Sequence, residues 1–239
     1  MSKRRIDLLD LWRASAVVCM VIYHYLYDYA MAGHLTWAQI YSPPISILQI
    51  FSSYSFIVIA GISSRLSRSN VKRGGLVLLC AMGLSAVAYF AGVPIWFGIL
   101  HFLGCCMILY GLLGKYIECL PQRCAPFVFL ALFLVMKYVT AVAPAVRTRL
   151  LVPIGFPYPG FYSADYYPLL PWMFLFLFGT WLGGVFRERD DTEWLYTPVP
   201  AALTWPGRHS LVIYLAHQPL FYALTYAFAA LLNAFSGGG

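Results

Sequence analysis

Arg4 to Asp28 reads RRIDLLDLWRASAVVCMVIYHYLYD. The stretch opens with positive charge and then runs hydrophobic. Four ionisable groups sit on or inside that run: Asp10, Arg13, His24 and Asp28. At about 100° per residue, the four fall within roughly 60° of one helical face. Arg13 and His24 nearly eclipse, about 16 Å apart along the axis. An apolar helix does not turn such a stripe to lipid. Ionisable side chains in a span are costly, face the protein interior and count as a functional-site hypothesis. The plainer alternative is that the four pair with one another, or with neighbouring helices, for packing alone.

The rest of the chain fits a membrane reading. Its 239 residues are 61% hydrophobic and 10% charged, against about 25% charged in a soluble domain. No Asp, Glu, Lys or Arg occurs from Tyr29 to Ser64, nor from Gly74 to Gly114. Charge-free runs of that length predict membrane spans joined by tight turns. The first run lacks the short apolar core and small-residue cleavage site of a secretory signal, so it reads as a retained span. The net charge of +7 lies in short inter-span loops and reads as a topology signal, with no nucleic-acid partner expected. Cys19, Cys80, Cys105, Cys106, Cys119 and Cys124 form no CxxC pair and read as small buried hydrophobes, with no metal site expected. The tail from Ser236 reads as flexible.

The expected fold is all-α: a polytopic membrane helical bundle of about seven spans, near 10–30, 44–63, 73–91, 95–114, 125–143, 168–186 and 209–233. Residues 1–239 form one domain without an internal repeat. Lys3, Arg4, Arg5, Arg65, Arg68, Lys72, Arg73, Lys115, Arg123, Arg187, Arg189 and Arg208 alternate onto one side, which puts the amino end in the cytoplasm. Seven spans then leave the carboxyl end outside.

Two loops are richer than linkers need to be. PIGFPYPGFYSADYYPLLP, Pro153 to Pro171, suits a lid or sugar-binding wall, and equally an aromatic belt at the interface. TWPGRHS, Thr204 to Ser210, sets Gly207, Arg208, His209 and Ser210 at the start of the last span. There they would bind an anion or serve as a plain cap with a topology-setting arginine.

Sorted by depth, the polar groups form two clusters. Arg5, Arg13, Arg65, Arg68, Lys72, Arg73, Arg208 and His209 make a basic inner mouth suited to a phosphate-bearing ligand. His24, Asp28, His34, His101 and Asp165 make an outer group with the side chains of proton transfer. His24 and Asp28 are i and i+4, so the carboxylate can orient the imidazole. Ser210, Tyr214 and His217 share a face of the last span, a second polar stripe that can meet the first. Coenzyme A has the shape to join the clusters, which lie roughly 15–20 Å apart by helical rise. Two alternatives stand beside an enzyme: a haem bundle held by two of the histidines and a proton-coupled transporter.

These same residues carry a resemblance. RRIDLLDLWRASAVVCMVIYHYLYD, VPIWFGILHFLG (Val93 to Gly104), DYYPLLPW (Asp165 to Trp172) and GRHSLVIYLAHQP (Gly207 to Pro219) together resemble the bacterial relatives of heparan-α-glucosaminide N-acetyltransferase. The resemblance implies a multi-pass acyltransferase of the bacterial inner membrane. Such an enzyme passes acetyl from cytoplasmic acetyl-CoA to a sugar, with a homodimer as the implied assembly. His34-Leu-Thr-Trp37 matches the family's H-x-x-W setting and gives His34 the catalytic role by resemblance. Where the lysosomal enzyme has asparagine this chain has His24, with Asp28 one turn on, so two candidate bases stand. Arg13, Arg65, Arg73, Arg208, His209 and Ser210 are the expected coenzyme ligands. His101, Asp165, Tyr166, Trp172 and His217 are the expected acceptor-binding residues. By the resemblance, a chain of 239 residues is expected to do without the larger lumenal domain and extra spans of the lysosomal enzyme. That points away from heparan sulfate and toward an envelope sugar or another small amine or hydroxyl acceptor.

Overall fold

The charge-free runs fold as helices. In the computed structural model, which describes residues 6–188, 193–221 and 224, α1 spans Asp7–Met31, α2 Trp37–Ile40, α3 Pro43–Leu66 and α4 Asn70–Phe90. They are followed by α5 Ile99–Ile117, α6 Ala125–Val142, α7 Leu169–Glu188 and α8 Ala201–Arg208. A further helix, α9, covers 210–221. No strand occurs among the described residues; a single bridge joins Phe97 and Tyr166. Helices α3 to α7 are each long and apolar enough to cross a membrane. On α4, Leu76, Leu79, Met82 and Val87 are exposed, and on α6, Phe127, Leu130, Leu134 and Val135. On helices of spanning length, apolar surface of that extent suits acyl chains. The protein is thus an all-α, polytopic membrane protein.

Five of the seven expected spans have this character. The first, α1, is a 25-residue helix. It is the least apolar of the long helices, because Asp7, Asp10 and Arg13 lie in its first half and His24 and Asp28 in its second. The last is helical over 210–221; the rest of that expected span, Arg4, Arg5 and the tail from Ser236 lie outside the described residues.

The chain divides into two units, residues 1–55 with 193–239, and residues 56–192, the division falling within α3. In the first unit α1 packs on α8. A Cβ on Gly207 would overlap the Asp10 carbonyl oxygen and lie 2.9 Å from Ala14 N, so only glycine lets the helices meet this closely. Trp12 Nε1 donates to Ser55 Oγ at 3.0 Å, joining α1 to the first part of α3. In the second unit α4 packs on α5 and α6 on α7. A Cβ on Gly74 would lie 2.8 Å from the Gly104 carbonyl oxygen, and one on Gly61 would lie 2.9 Å from Gly179 Cα. Lipid tails are as apolar as leucine, so helices in a membrane gain little from hydrophobic burial. They associate through close packing of this small-residue kind.

Candidate functional site

The polar stripe of α1 faces α8 and α9. Asp10 is 3% exposed. Its carboxylate accepts from Arg13 Nη1 at 2.6 Å and lies 3.5 Å from Arg208 Nε, and Arg208 Nη2 reaches Asp7 at 3.1 Å. Among the described residues, two arginines and two carboxylates therefore meet in one network. Arg208 is the last residue of α8, where the helix dipole favours a cation. This corrects the expectation that Gly207 and Arg208 open a helix. His209 separates the two helices, its Nδ1 2.9 Å from the Trp205 carbonyl oxygen. Ser210 begins α9.

Further along α1, His24 Nδ1 lies 3.1 Å from His217 Nε2, and the ring centroids are 4.9 Å apart. Asp28 is hydrogen-bonded by the Gln218 side chain. The expected His24–Asp28 pairing is thus replaced by two pairings onto α9. Tyr23 meets His24 edge-on at 5.8 Å, and Phe221 meets His217 edge-on at 6.1 Å. His217 was expected as an acceptor ligand on a second stripe; the two stripes do meet, and at this residue.

His34 is set by the end of α1. Gly33, at φ 82°, takes the left-handed conformation that closes a helix. Gly33 N donates to Ala30 O at 2.9 Å and His34 N to Tyr29 O at 3.1 Å, the paired bonds of a Schellman cap. The His34 ring stacks on Tyr29 at 4.6 Å. Thr36 and Gln39 then form a capping box that starts α2, and Trp37 packs edge-on against Tyr27 at 5.4 Å. His34 itself is exposed.

In the second unit, His101 sits in the first turn of α5, 5.8 Å from the Phe97 ring. Asp165 Oδ2 accepts from Ile99 N at 2.9 Å, capping α5 from a distant segment. A Cβ on Gly98 would lie 2.9 Å from the Asp165 Cγ, so glycine at 98 admits the carboxylate. Tyr166 donates its hydroxyl to Val152 O at 2.7 Å. Burial pushes its phenol up to about 12. Trp172 lies between Tyr167 at 5.0 Å and Phe133 at 5.6 Å. Asp165 and Tyr166 thus meet backbone groups, and Trp172 meets other rings.

The turn between α3 and α4, with the end of α5, encloses a cleft of about 650 Å³. Arg65, Arg68, Lys72, Lys115 and Arg187 line it, and Glu118 is the one carboxylate among its lining residues. Five cations against one carboxylate leave four positive charges. Glu118 pairs with Arg65 and accepts from the Tyr110 hydroxyl at 2.7 Å. Asn70 Nδ2 donates to Ser64 O at 2.8 Å, and Arg73 turns to Ser63 O at 3.5 Å; both brace the turn. Low-dielectric walls with one sign of charge focus potential onto an anion. Arg65, Arg68 and Lys72 belong to the inner mouth expected from sequence; Lys115 and Arg187, which read there as topology signals, join them in the cleft. Glu118, one turn beyond Lys115, was the missed clue that the end of α5 joins the cleft.

Comparison with known proteins bears on both regions. Residues 5–219 match the family model described as heparan-alpha-glucosaminide N-acetyltransferase, catalytic. No curated protein matches the chain, and no solved structure does. The match takes in α1 with its His34-Leu-Thr-Trp37 continuation, the basic cleft and His217. Spanning nearly the whole sequence, it shows that the chain belongs to the heparan-alpha-glucosaminide N-acetyltransferase family and is a membrane acetyltransferase.

Proposed function

We propose that this protein moves acetyl from cytoplasmic acetyl-CoA to a sugar, or another small amine or hydroxyl acceptor, on the outer side of a bacterial inner membrane. Residues 1–239 work in this as one acyltransferase domain. The observation that carries the reading is the basic cleft at the α3–α4 turn, with four positive charges in excess. Its charge suits a nucleotide bearing a ribose phosphate and a diphosphate. Arg65 and Arg68 can engage phosphate oxygens in bidentate fashion, with Lys72 and Lys115 as point charges.

The chemistry needs a base for the acceptor. Two imidazoles are available, His34 on its Schellman cap and His24 against His217. Either removes the acceptor's N–H or O–H proton as nitrogen or oxygen attacks the thioester carbonyl. The carbon–sulfur bond then breaks, and the imidazolium returns the proton to the departing thiolate. No covalent enzyme intermediate is required. The haem alternative is disfavoured by the same pair, because the His24 and His217 rings touch and admit no porphyrin between them.

Membranes incubated with labelled acetyl-CoA and a panel of amino sugars and hydroxyl sugars test the reading. Acetylated product is expected, and the panel separates N- from O-transfer. Loss of turnover in His34→Ala or His24→Ala identifies the base. Full turnover in both variants would sink the mechanism; uptake without product would select a transporter.

A further inference from the structure

Resting on the acyl-transfer reading, we infer that His217 is a positioning residue. It fixes the proton of His24 on Nδ1, so that His24 Nε2 is the base.

The inference follows from one hydrogen-bonded chain. His217 Nδ1 lies 2.7 Å from the Tyr214 carbonyl oxygen. A carbonyl only accepts, so that nitrogen carries the proton. A neutral imidazole has a single N–H, and His217 Nε2 is therefore a lone pair. His24 Nδ1 stands 3.1 Å from it and must be the donor. The Met20 carbonyl, one turn back on α1, also accepts a hydrogen bond from His24. Every ring nitrogen in the pair is then committed except His24 Nε2, which keeps its lone pair. The chain runs one way, from His24 through His217 to the backbone of α9.

This arrangement has the logic of a catalytic triad with a neutral third member. The partner selects the tautomer and then supports the imidazolium that forms. When His24 Nε2 takes the acceptor proton, the new cation holds its Nδ1–H against the His217 lone pair. Tyr23, Tyr214 and Phe221 pack edge-on around the two rings and limit competition from water for these bonds. Asp28, one turn from His24, is held by Gln218, so the carboxylate does not take the orienting role.

Two substitutions test it. Leucine at 217 removes the acceptor, whereas glutamine keeps an oxygen near the position of Nε2. His217→Leu is expected to lower kcat by about 100-fold with the KM for acetyl-CoA unchanged. His217→Gln should retain kcat within about tenfold of the parent. Equal losses in both variants, or a His217→Leu kcat within about threefold of the parent, would overturn the assignment. A readout independent of turnover is ¹⁵N NMR of histidine-labelled protein without ligand. His24 should be protonated at Nδ1 in the parent and should shift toward the Nε2–H form in His217→Leu. An unchanged tautomer in that variant also overturns the proposal. Absence of acetyl transfer by the parent would defeat the broader reading, while the tautomer measurement would still judge the pairing by itself.

Discussion

At the start of α1, Arg13 and Arg208 meet Asp7 and Asp10, two cations for two carboxylates among the described residues. Along the α3–α4 turn and the end of α5, Arg65, Arg68, Lys72, Lys115 and Arg187 have Glu118 as the one carboxylate among the described lining residues. In sequence the two sets look alike, as arginines flanking apolar runs. In space they differ in one respect, the number of acids that fold back onto them. A neutralised arginine joins helices; an excess of cations suits an anion. Arg13 and Arg208, two expected coenzyme ligands, are both engaged by carboxylates of α1, Arg208 from α8.

The largest expected effect breaks the first region. Asp10→Ala removes the buried carboxylate that Arg13 and Arg208 share, which costs about 3 kcal/mol, Arg208 keeping Asp7. Unfolding in detergent should register that loss. Arg68→Gln at the exposed cleft should leave stability within about 0.5 kcal/mol. If Asp10→Ala melts with the parent, the network is not what joins α1 to α8.

Next in size is the binding effect. Arg68→Gln and Lys72→Gln should each weaken coenzyme A by about tenfold, and more at low ionic strength than at high. Arg208→Gln should leave that affinity intact and lower stability. Calorimetric titration with coenzyme A decides it. Equal weakening by Arg208→Gln and Arg68→Gln would erase the distinction between the regions.

Apolar surface was legible in the sequence because hydropathy is a local property: the spans expected near 44–63, 73–91, 95–114, 125–143 and 168–186 lie within a few residues of α3 to α7. The stripe of α1 was legible because helical periodicity places Asp10, Arg13, His24 and Asp28 on one face. Periodicity gives a face and never a partner. His24 and His217 are 193 residues apart, and the nearer Asp28 was the natural but incorrect choice of mate. Helix α8 was hidden because eight residues carry too little periodicity and Pro206 lies inside it. TWPGRHS therefore read as a helix start, whereas Gly207 is where α8 presses on the Asp10 backbone. Asp165 offered a carboxylate in an aromatic loop, and nothing local showed that Ile99 N would claim it.

Tyr166 supplies the smallest effect and the finest test of the same rule, that a polar group already engaged serves the scaffold. Its hydroxyl is held by Val152 O at 2.7 Å, so Tyr166→Phe should cost about 1 kcal/mol of stability and leave the KM for the acceptor unchanged. The pH dependence has a definite sign. Burial raises the phenol from its ordinary 10.0 to about 12, so the fold prefers the neutral form. The stabilisation is therefore fully present below the unfolded value and is lost as pH rises through the folded one. The gap between parent and Tyr166→Phe should stay constant through neutral pH and narrow above about pH 10. Unfolding measured at neutral pH and at about pH 11 reads that narrowing. A raised acceptor KM with unaltered stability would instead move Tyr166 to the ligand side, and an engaged side chain would no longer be a guide to what a residue in this protein is for.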